Sequence, residues 1–313
     1  MQRSLLRRVA LLVILLLATW RPREPLAAGF LAFDTDGDGV PDITIPDANG
    51  DGLFEWPPGT TILHGTLHFS AGDAIEFSGY TTIKADAITI DPGATLANGS
   101  NLHQIVLIAT HGDITSQGGW GIFGFPNRIE LTAQLGSVHL LGSFFLGAST
   151  VIVQAPRGSI TIHPDPSADP TGRLISANTV SVFARNTTGS IVIDDTVLLS
   201  TQATLDNHAS SSVPPTVDKG IRLIDGATLA GNSTTINATG RITVDGATIN
   251  SDAIKLSTSR STDDVCVANG SLVQAVSSGR INTYGVRGTP HRDDTSTVTG
   301  SVAGKPFVLG ACP

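Results

Sequence analysis

Apolar residues recur along this chain in short runs with a period of two. Val151/Val153, Ile160/Ile162 and Ile191/Ile193 alternate with polar or small residues, as strands with one inward face require. The runs follow a fixed order: an apolar strand ends in Ala, a turn containing Gly follows, and a second strand begins with Ile or Val. IVLIATHGDIT supplies Ala109, Gly112 and Ile114; IELTAQLGSVHL supplies Ala133, Gly136 and Val138. VIVQAPRGSITI has Ala155, Gly158 and Ile160, and VSVFARNTTGSIVI has Ala184, Gly189 and Ile191. INATGRITV continues with Ala238, Gly240 and Ile242, and LVQAVSSGRINT with Ala275, Gly279 and Ile281. Ala85 and Ile88 open the series, with Asp86 and Ala87 where the glycine would stand. The longest echo joins Tyr80–Leu96 (YTTIKADAITIDPGATL) to Ser233–Asn250 (STTINATGRITVDGATIN).

The first steps from Ala to Ala are 24, 24, 22 and 29 residues; the later ones, 54 and 37, leave room for an extra coil or an inserted loop. A strand pair of this size cannot bury its own apolar face, whereas stacked copies build one continuous core. A small Ala suits a narrow point of the coil, and Gly suits a corner that calls for positive φ. A β-sandwich also spaces its strands at about 8–12 residues, but it does not require the order Ala, turn, Gly, strand to recur. The pattern predicts an all-β chain, a β-solenoid with coils of about 22–24 residues and almost no helix.

Over about Gly59–Gly285 these core positions resemble the right-handed parallel β-helix proteins, the pectin-lyase-like superfamily and the filamentous-haemagglutinin-like adhesins. The resemblance implies a right-handed coil, in keeping with the chirality of parallel crossovers. For function it implies one of two classes: a structural or adhesive module, or a polysaccharide lyase or glycoside hydrolase.

Three stretches rich in Pro, Ser, Thr, Asp and Gly read as loops: His163–Arg173, Thr201–Gly220 and Gly285–Gly300. Insertions in stacked repeats tend to gather on one face, often the binding face. Near the start, TTILHGTLHFSAGDAIEFSGY follows the rigid break Trp56-Pro57-Pro58-Gly59. It reads as two or three strands that lead into the first coil and cap it.

Composition adds a compartment. MQRSLLRR is basic and VALLVILLLATW is an apolar run of 12 residues, too short to cross a bilayer comfortably. Residues 1–28 therefore read as an export signal cleaved near Pro25-Leu26-Ala27-Ala28, with an uncleaved anchor as the alternative, and no later stretch predicts a membrane span. Residues 1–28 hold five Arg and one Glu, so the rest has 19 − 5 = 14 basic and 27 − 1 = 26 acidic residues, a net charge of −12. That charge argues against nucleic acid as a partner and mildly for calcium. In an exported chain the two cysteines, Cys266 and Cys312, are expected to pair, tying the tail KPFVLGACP to a late coil. Two free thiols are the alternative.

The sharpest chemical signal is Phe33–Glu55, FDTDGDGVPDITIPDANGDGLFE. Asp34, Asp36, Asp38 and Asp42 occupy positions 1, 3, 5 and 9 of a loop, the Val40 carbonyl falls at position 7, and Gly39 makes the tight turn. Calcium takes six to eight oxygens, and this spacing wraps them round one ion. A second copy lies 13 residues on: Asp47, Asn49, Asp51, the Leu53 carbonyl and Glu55. Position 12, where an EF-hand has Glu, is Ile45 or Pro58, and no helix flanks either copy. The tandem, helix-free form resembles thrombospondin type 3 calcium repeats, DTDGDGVPD most closely. The resemblance implies calcium with a structural use in a compact stalk or linker. Sharing of Asp42 and Asp47 between the two sites is one arrangement the spacing permits, and an acidic flexible linker is the metal-free alternative.

Three acidic groups are the candidates for acid–base chemistry on a sugar: Asp194-Asp195, Asp263-Asp264 with Arg260, and His291-Arg292-Asp293-Asp294. Adjacent residues on a strand face opposite ways, so Asp194 and Asp195 converge only if a turn intervenes. No metal-protease or serine-hydrolase spacing occurs, so no catalytic residue is assigned and a non-enzymatic module is the expectation. Trp120, in SQGGWGIFGFPNR, is the best candidate for an exposed glycan platform, although a wide turn with buried aromatics fits the same residues. The expected organisation is a signal over 1–28, a calcium-binding segment over 29–58 and a solenoid with a C-terminal cap over 59–313. The expected setting is the cell surface or exterior, and the expected partner a surface polysaccharide or another cell-surface component.

Overall fold

The computed structural model describes residues 29–98, 103–163, 173–185, 189–207, 220–259 and 264–312. These residues form a parallel β-solenoid of about nine turns, without helix. The proposed signal, residues 1–28, lies outside the described residues.

Each coil visits three faces. Face 1 is an 11-stranded ladder running from Thr66–Phe69 through Ile114–Ser116 and Ile191–Asp194 to Val308–Leu309. Face 2 begins with Phe54–Trp56, Ala74–Phe77, Thr95–Asn98 and Trp120–Phe123; face 3 begins with Gly59–Ile62, Thr81–Ala85, Gln104–Ala109 and Arg128–Ala133. The two ladders fuse at Phe144–Gln154, an 11-residue strand that pairs with both Trp120–Phe123 and Arg128–Ala133. From there most coils run through both faces without a break.

The core is a set of columns. Ile88, Ile114, Val138, Ile160, Ile191, Ile221, Ile242 and Val265 stand above one another on face 1, all fully buried. A fully buried side chain of this size contributes about 1.5–3 kcal/mol, and the column repeats that at every coil. The echo Tyr80–Leu96 and Ser233–Asn250 follows the same path in both copies, from face 3 through face 1 to face 2.

The alanine column is legible through most of its length. Ala85 pairs with Ala109 and Ala109 with Ala133; Ala155, Ala184 and Ala238 are buried in the same series. The 54-residue step from Ala184 to Ala238 holds one more coil, with buried Asn207 at the corner. Asn207 fits because it is satisfied there: its amide donates to the Gly189 carbonyl at 3.3 Å and its Oδ1 accepts the Thr239 amide at 2.8 Å. The last unit was aligned differently from the sequence. Ala275 pairs with Ser251 and Ile281 with Ile254, so this stretch lies on the fused sheet and not at the corner.

Among the corner glycines, Gly240 takes the expected positive φ, 117°, but three others serve a different purpose. Gly112, Gly136 and Gly158 do not take the left-handed backbone. They are required by close stacking: a Cβ on Gly136 would sit 2.2 Å from the Gly112 carbonyl oxygen, and one on Gly158 would sit 2.1 Å from that of Gly136.

Three further readings change. The strands Gly59–Ile62, Thr66–Phe69 and Ala74–Phe77 form an ordinary coil, since they pair in parallel with the next one. Gly285–Gly300 is not a loop: Pro290–Arg292 and Thr297–Thr299 pair with Val265–Ala268 and Leu272–Gly285. Thr201–Asp206 is strand, so that connection begins after Asn207; residues 208–219 lie outside the described residues, as do 164–172.

Residues 29–56 cover the N-terminal end. Phe30–Phe33 and Ile43–Pro46 form an antiparallel hairpin, and Phe54–Trp56 joins face 2 by pairing with Ala74–Phe77. Phe33, Ile45 and Trp56 are buried in the same core as Phe69 and Phe77, so one apolar cluster runs across residue 58. At the other end, a disulfide joins Cys266 on face 1 to Cys312, with Cα atoms 5.5 Å apart.

Candidate metal centre

The two acidic loops occupy the two exits of the hairpin strand Ile43–Pro46. Asp34–Asp42 is the hairpin tip, closed by the Asp42 amide on the Phe33 carbonyl at 2.8 Å. Asp47–Leu53 leads from the hairpin to Phe54–Trp56 on face 2. Glycine is required inside both: Gly37 and Gly39 take φ of 78° and 85°, and Gly50 and Gly52 take 74° and 85°, values that L side chains rarely adopt.

The loops match bond for bond at the 13-residue offset. Asp34 accepts the Gly37 and Gly39 amides, each at 2.8 Å; Asp47 accepts those of Gly50 and Gly52 at 2.7 and 3.1 Å. Asp36 accepts the Asp38 amide and Asp38 the Val40 amide; Asn49 and Asp51 repeat this with the amides of Asp51 and Leu53. Asp42 reaches back to the Thr35 amide, and Glu55 reaches back to the Ala48 amide, both at 2.7 Å. Each loop therefore closes on its own carboxylates.

Carboxylate oxygens of Asp34, Asp36 and Asp42 lie within 4.8 Å of one another, all on exposed residues. This is the one such cluster of ligand-type side chains among the described residues. Asp38 is turned onto Val40, and Asp47, Asp51 and Glu55 are not gathered in the same way. The donors are all hard oxygens, which suits calcium and not a soft metal. Three carboxylates at this separation repel one another in the absence of a cation. Thr35 holds the Asp42 carboxyl below the usual range, first through its hydroxyl and then through its amide. The Thr35 hydroxyl also bonds the His64 carbonyl, and the Thr66 amide donates to the Thr35 carbonyl at 2.8 Å. Thr35 thus ties the first loop to the solenoid, a role that loop spacing does not reveal because its partners lie about thirty residues on.

No family model, curated protein or solved structure matches the chain.

The acidic pairs are dispersed. A turn does intervene after Asp194: Asp195 has φ of 40°. The two carboxylates nevertheless take different partners. Asp194 is buried and lies 2.5 Å from His163 Nδ1; burial raises its pKa, against the pull of His163. Asp195 pairs with the buried Arg173 guanidinium, whose Nε also donates to the Asp195 carbonyl at 2.8 Å. His163 and Arg173 stand one coil away, so no local spacing marked them. Arg260 and Asp263 lie outside the described residues, and Asp264 accepts the Thr289 amide at 2.8 Å. His291 and Arg292 are in a strand. Asp293 organises the next turn, and hydrogen bonds, above all from the Ser296 hydroxyl and then from the Asn269 amide, bring its pKa down to about 2.

The Trp120 stretch divides. Trp120 is buried and stacks on Phe144 with ring centroids 5.9 Å apart, so it is no platform. Phe123 and Phe125 lie outside the buried core, and Phe125 is 55% exposed.

Proposed function

We propose that this protein is an exported β-solenoid of the cell surface or exterior, a structural or adhesive module whose N-terminal end is stabilised by calcium. The observation that carries the calcium reading is the bond-for-bond repeat of the two acidic loops, with three carboxylates converging in the first. Asp34, Asp36, Asp38, Asp42 and the Val40 carbonyl would hold one ion. Asp47, Asn49, Asp51, Glu55 and the Leu53 carbonyl would hold a weaker second. A bound ion would neutralise the cluster and hold the hairpin across the end of the core, so its use is mechanical. The likeness of DTDGDGVPD to thrombospondin type 3 repeats supports the same assignment.

Stacked columns make a rod whose outer surface presents loops to a surface polysaccharide or another cell-surface component. The dispersal of the acidic groups supports a non-enzymatic role: Asp194, Asp195, Asp264 and Asp293 each engage a separate local partner. Two measurements test this. Incubation of residues 29–313 with acidic and neutral polysaccharides and calcium is expected to give neither unsaturated products nor new reducing ends; steady product formation would overturn the non-enzymatic reading. Limited proteolysis is expected to cut within Asp34–Glu55 faster in chelator than in calcium, and equal rates would sink the metal assignment.

A further inference from the structure

The fused sheet has a step in it. Between Trp120–Phe123 and Arg128–Ala133 the chain makes a separate turn through Gly124, Phe125, Pro126 and Asn127, whereas the next coil runs straight through as Phe144–Gln154. The step leaves an open groove of about 320 Å³ lined by Phe125, Ala148, Ser149, Ser176, Ala177 and Asn178.

Beside it lies an aromatic shelf. The Phe123 and Phe145 rings are 5.7 Å apart and nearly parallel, and Phe125 meets Phe145 edge-on at 6.0 Å. Glycines make the space: a Cβ on Gly121 would sit 2.8 Å from the Phe123 ring, and one on Gly147 would sit 2.7 Å from the Phe145 ring. Phe125 is itself held at φ of 49°, an uncommon backbone for an aromatic residue. In a chain with 5% aromatic residues, one exposed and two half-buried phenyl rings in contact give this face an apolar patch of the kind that binding sites use.

We propose that this groove binds a neutral polysaccharide, an inference that rests on the adhesive reading and gives it a ligand class. The lining carries no charged side chain, which disfavours nucleic acid and acidic glycans. The strands of its floor pair with each other on both sides of the Ser149–Asn178 corner, so they are not sheet edges open to an added peptide strand. A second copy would need an interface of roughly 1,000 Å² or more, far beyond this groove. What the groove offers is the Phe125 ring together with the polar residues Ser149, Ser176 and Asn178. A neutral sugar ring has the complementary halves, an apolar C–H face and a rim of hydroxyls. The corner continues along the axis as Asn178, Thr201 and Asn232, all exposed and one coil apart by register. That polar track gives a polymer somewhere to run.

Affinity electrophoresis in gels containing a β-glucan, a galactomannan, a xylan or polygalacturonate tests the site. Retardation by at least one neutral polymer is expected, with at least tenfold weaker binding in Phe125→Ala and Phe145→Ala. Both variants are expected to melt like the wild type because neither ring belongs to the core. Retardation left intact in both variants would overturn the site while leaving adhesion standing. Retardation by polygalacturonate alone, or by none of the four, would overturn the proposal. Self-association abolished by Phe145→Ala, without polysaccharide binding, would assign the shelf to a second copy and overturn it too.

Discussion

The two ends of the solenoid are closed by different physics. At the N-terminal end Phe33, Trp56, Phe69 and Phe77 form a chain of ring contacts with centroids 5.5 to 6.4 Å apart, and the hairpin lies over them. At the C-terminal end the last strands are Thr297–Thr299, Ser301–Ala303 and Val308–Leu309. Val298, Val302 and Phe307 are only partly buried, Val308 and Leu309 are exposed, and Cys312 is pinned to Cys266. A stacked core must be capped at both ends. Where large side chains are available the cap is apolar; where they are sparse a covalent tie stands in.

The largest test of this contrast is Trp56→Ala. Deleting a fully buried indole costs about 3–5 kcal/mol, so urea unfolding is expected to shift strongly, with loss of hydrogen-exchange protection over Phe30–Phe33 and Ile43–Pro46. Next comes Cys312→Ser. Opening a tie between residues 46 apart is expected to cost about 2–4 kcal/mol, with exchange increasing over Ser301–Leu309 and unchanged over the hairpin. Fraying at both ends would mean that the solenoid unfolds as one unit and that the ends are not independent.

The proposed calcium site is the third lever and is expected to act on one end only. Each tenfold rise in ion concentration above the dissociation constant is expected to add about 1.4 kcal/mol, read as slower cutting within Asp34–Glu55 with the C-terminal end unaffected. Acid gives the smallest effect and reaches both ends. Asp42 and Asp293 have depressed pKa values in the fold. Their contribution is present above the unfolded carboxylate range and is lost as pH falls through the folded values, for Asp293 down to about 2. Solvent screening keeps the Asp293 share below about 1 kcal/mol. Asp293→Asn is expected to remove that part of the acid sensitivity, measured as the melting temperature from pH 5 to pH 2. An unchanged slope would mean that the turn hydrogen bonds do not discriminate the charged form.

The alternation of Val151/Val153 or Ile191/Ile193 and the spacing of Ala85, Ala109 and Ala133 were enough to predict a stacked all-β chain. They also placed Ile88, Ile114, Val138, Ile160, Ile191 and Ile242 in one column. They failed where a polar residue occupies an alanine corner. Asn207 is acceptable only because Gly189 and Thr239, from neighbouring coils, satisfy it, and no local pattern records that. Of the corner glycines, Gly240 has the expected positive φ, whereas Gly136 and Gly158 are constrained by a carbonyl one coil away, which no local pattern records.

The order of the acidic residues, and their 13-residue repeat, belong to the sequence alone, because ligand spacing within a short loop is a local property. So do the apolar period and the presence of two cysteines. Tertiary structure decided the rest. It seated the first loop on the solenoid through Thr35, separated Asp194 from Asp195 by giving each a partner one coil away, and buried Trp120 while turning Phe123 and Phe145 outward. Each of these depends on which residue stands about 4.8 Å above or below in the next coil, a neighbour some 20 to 30 positions distant in the chain.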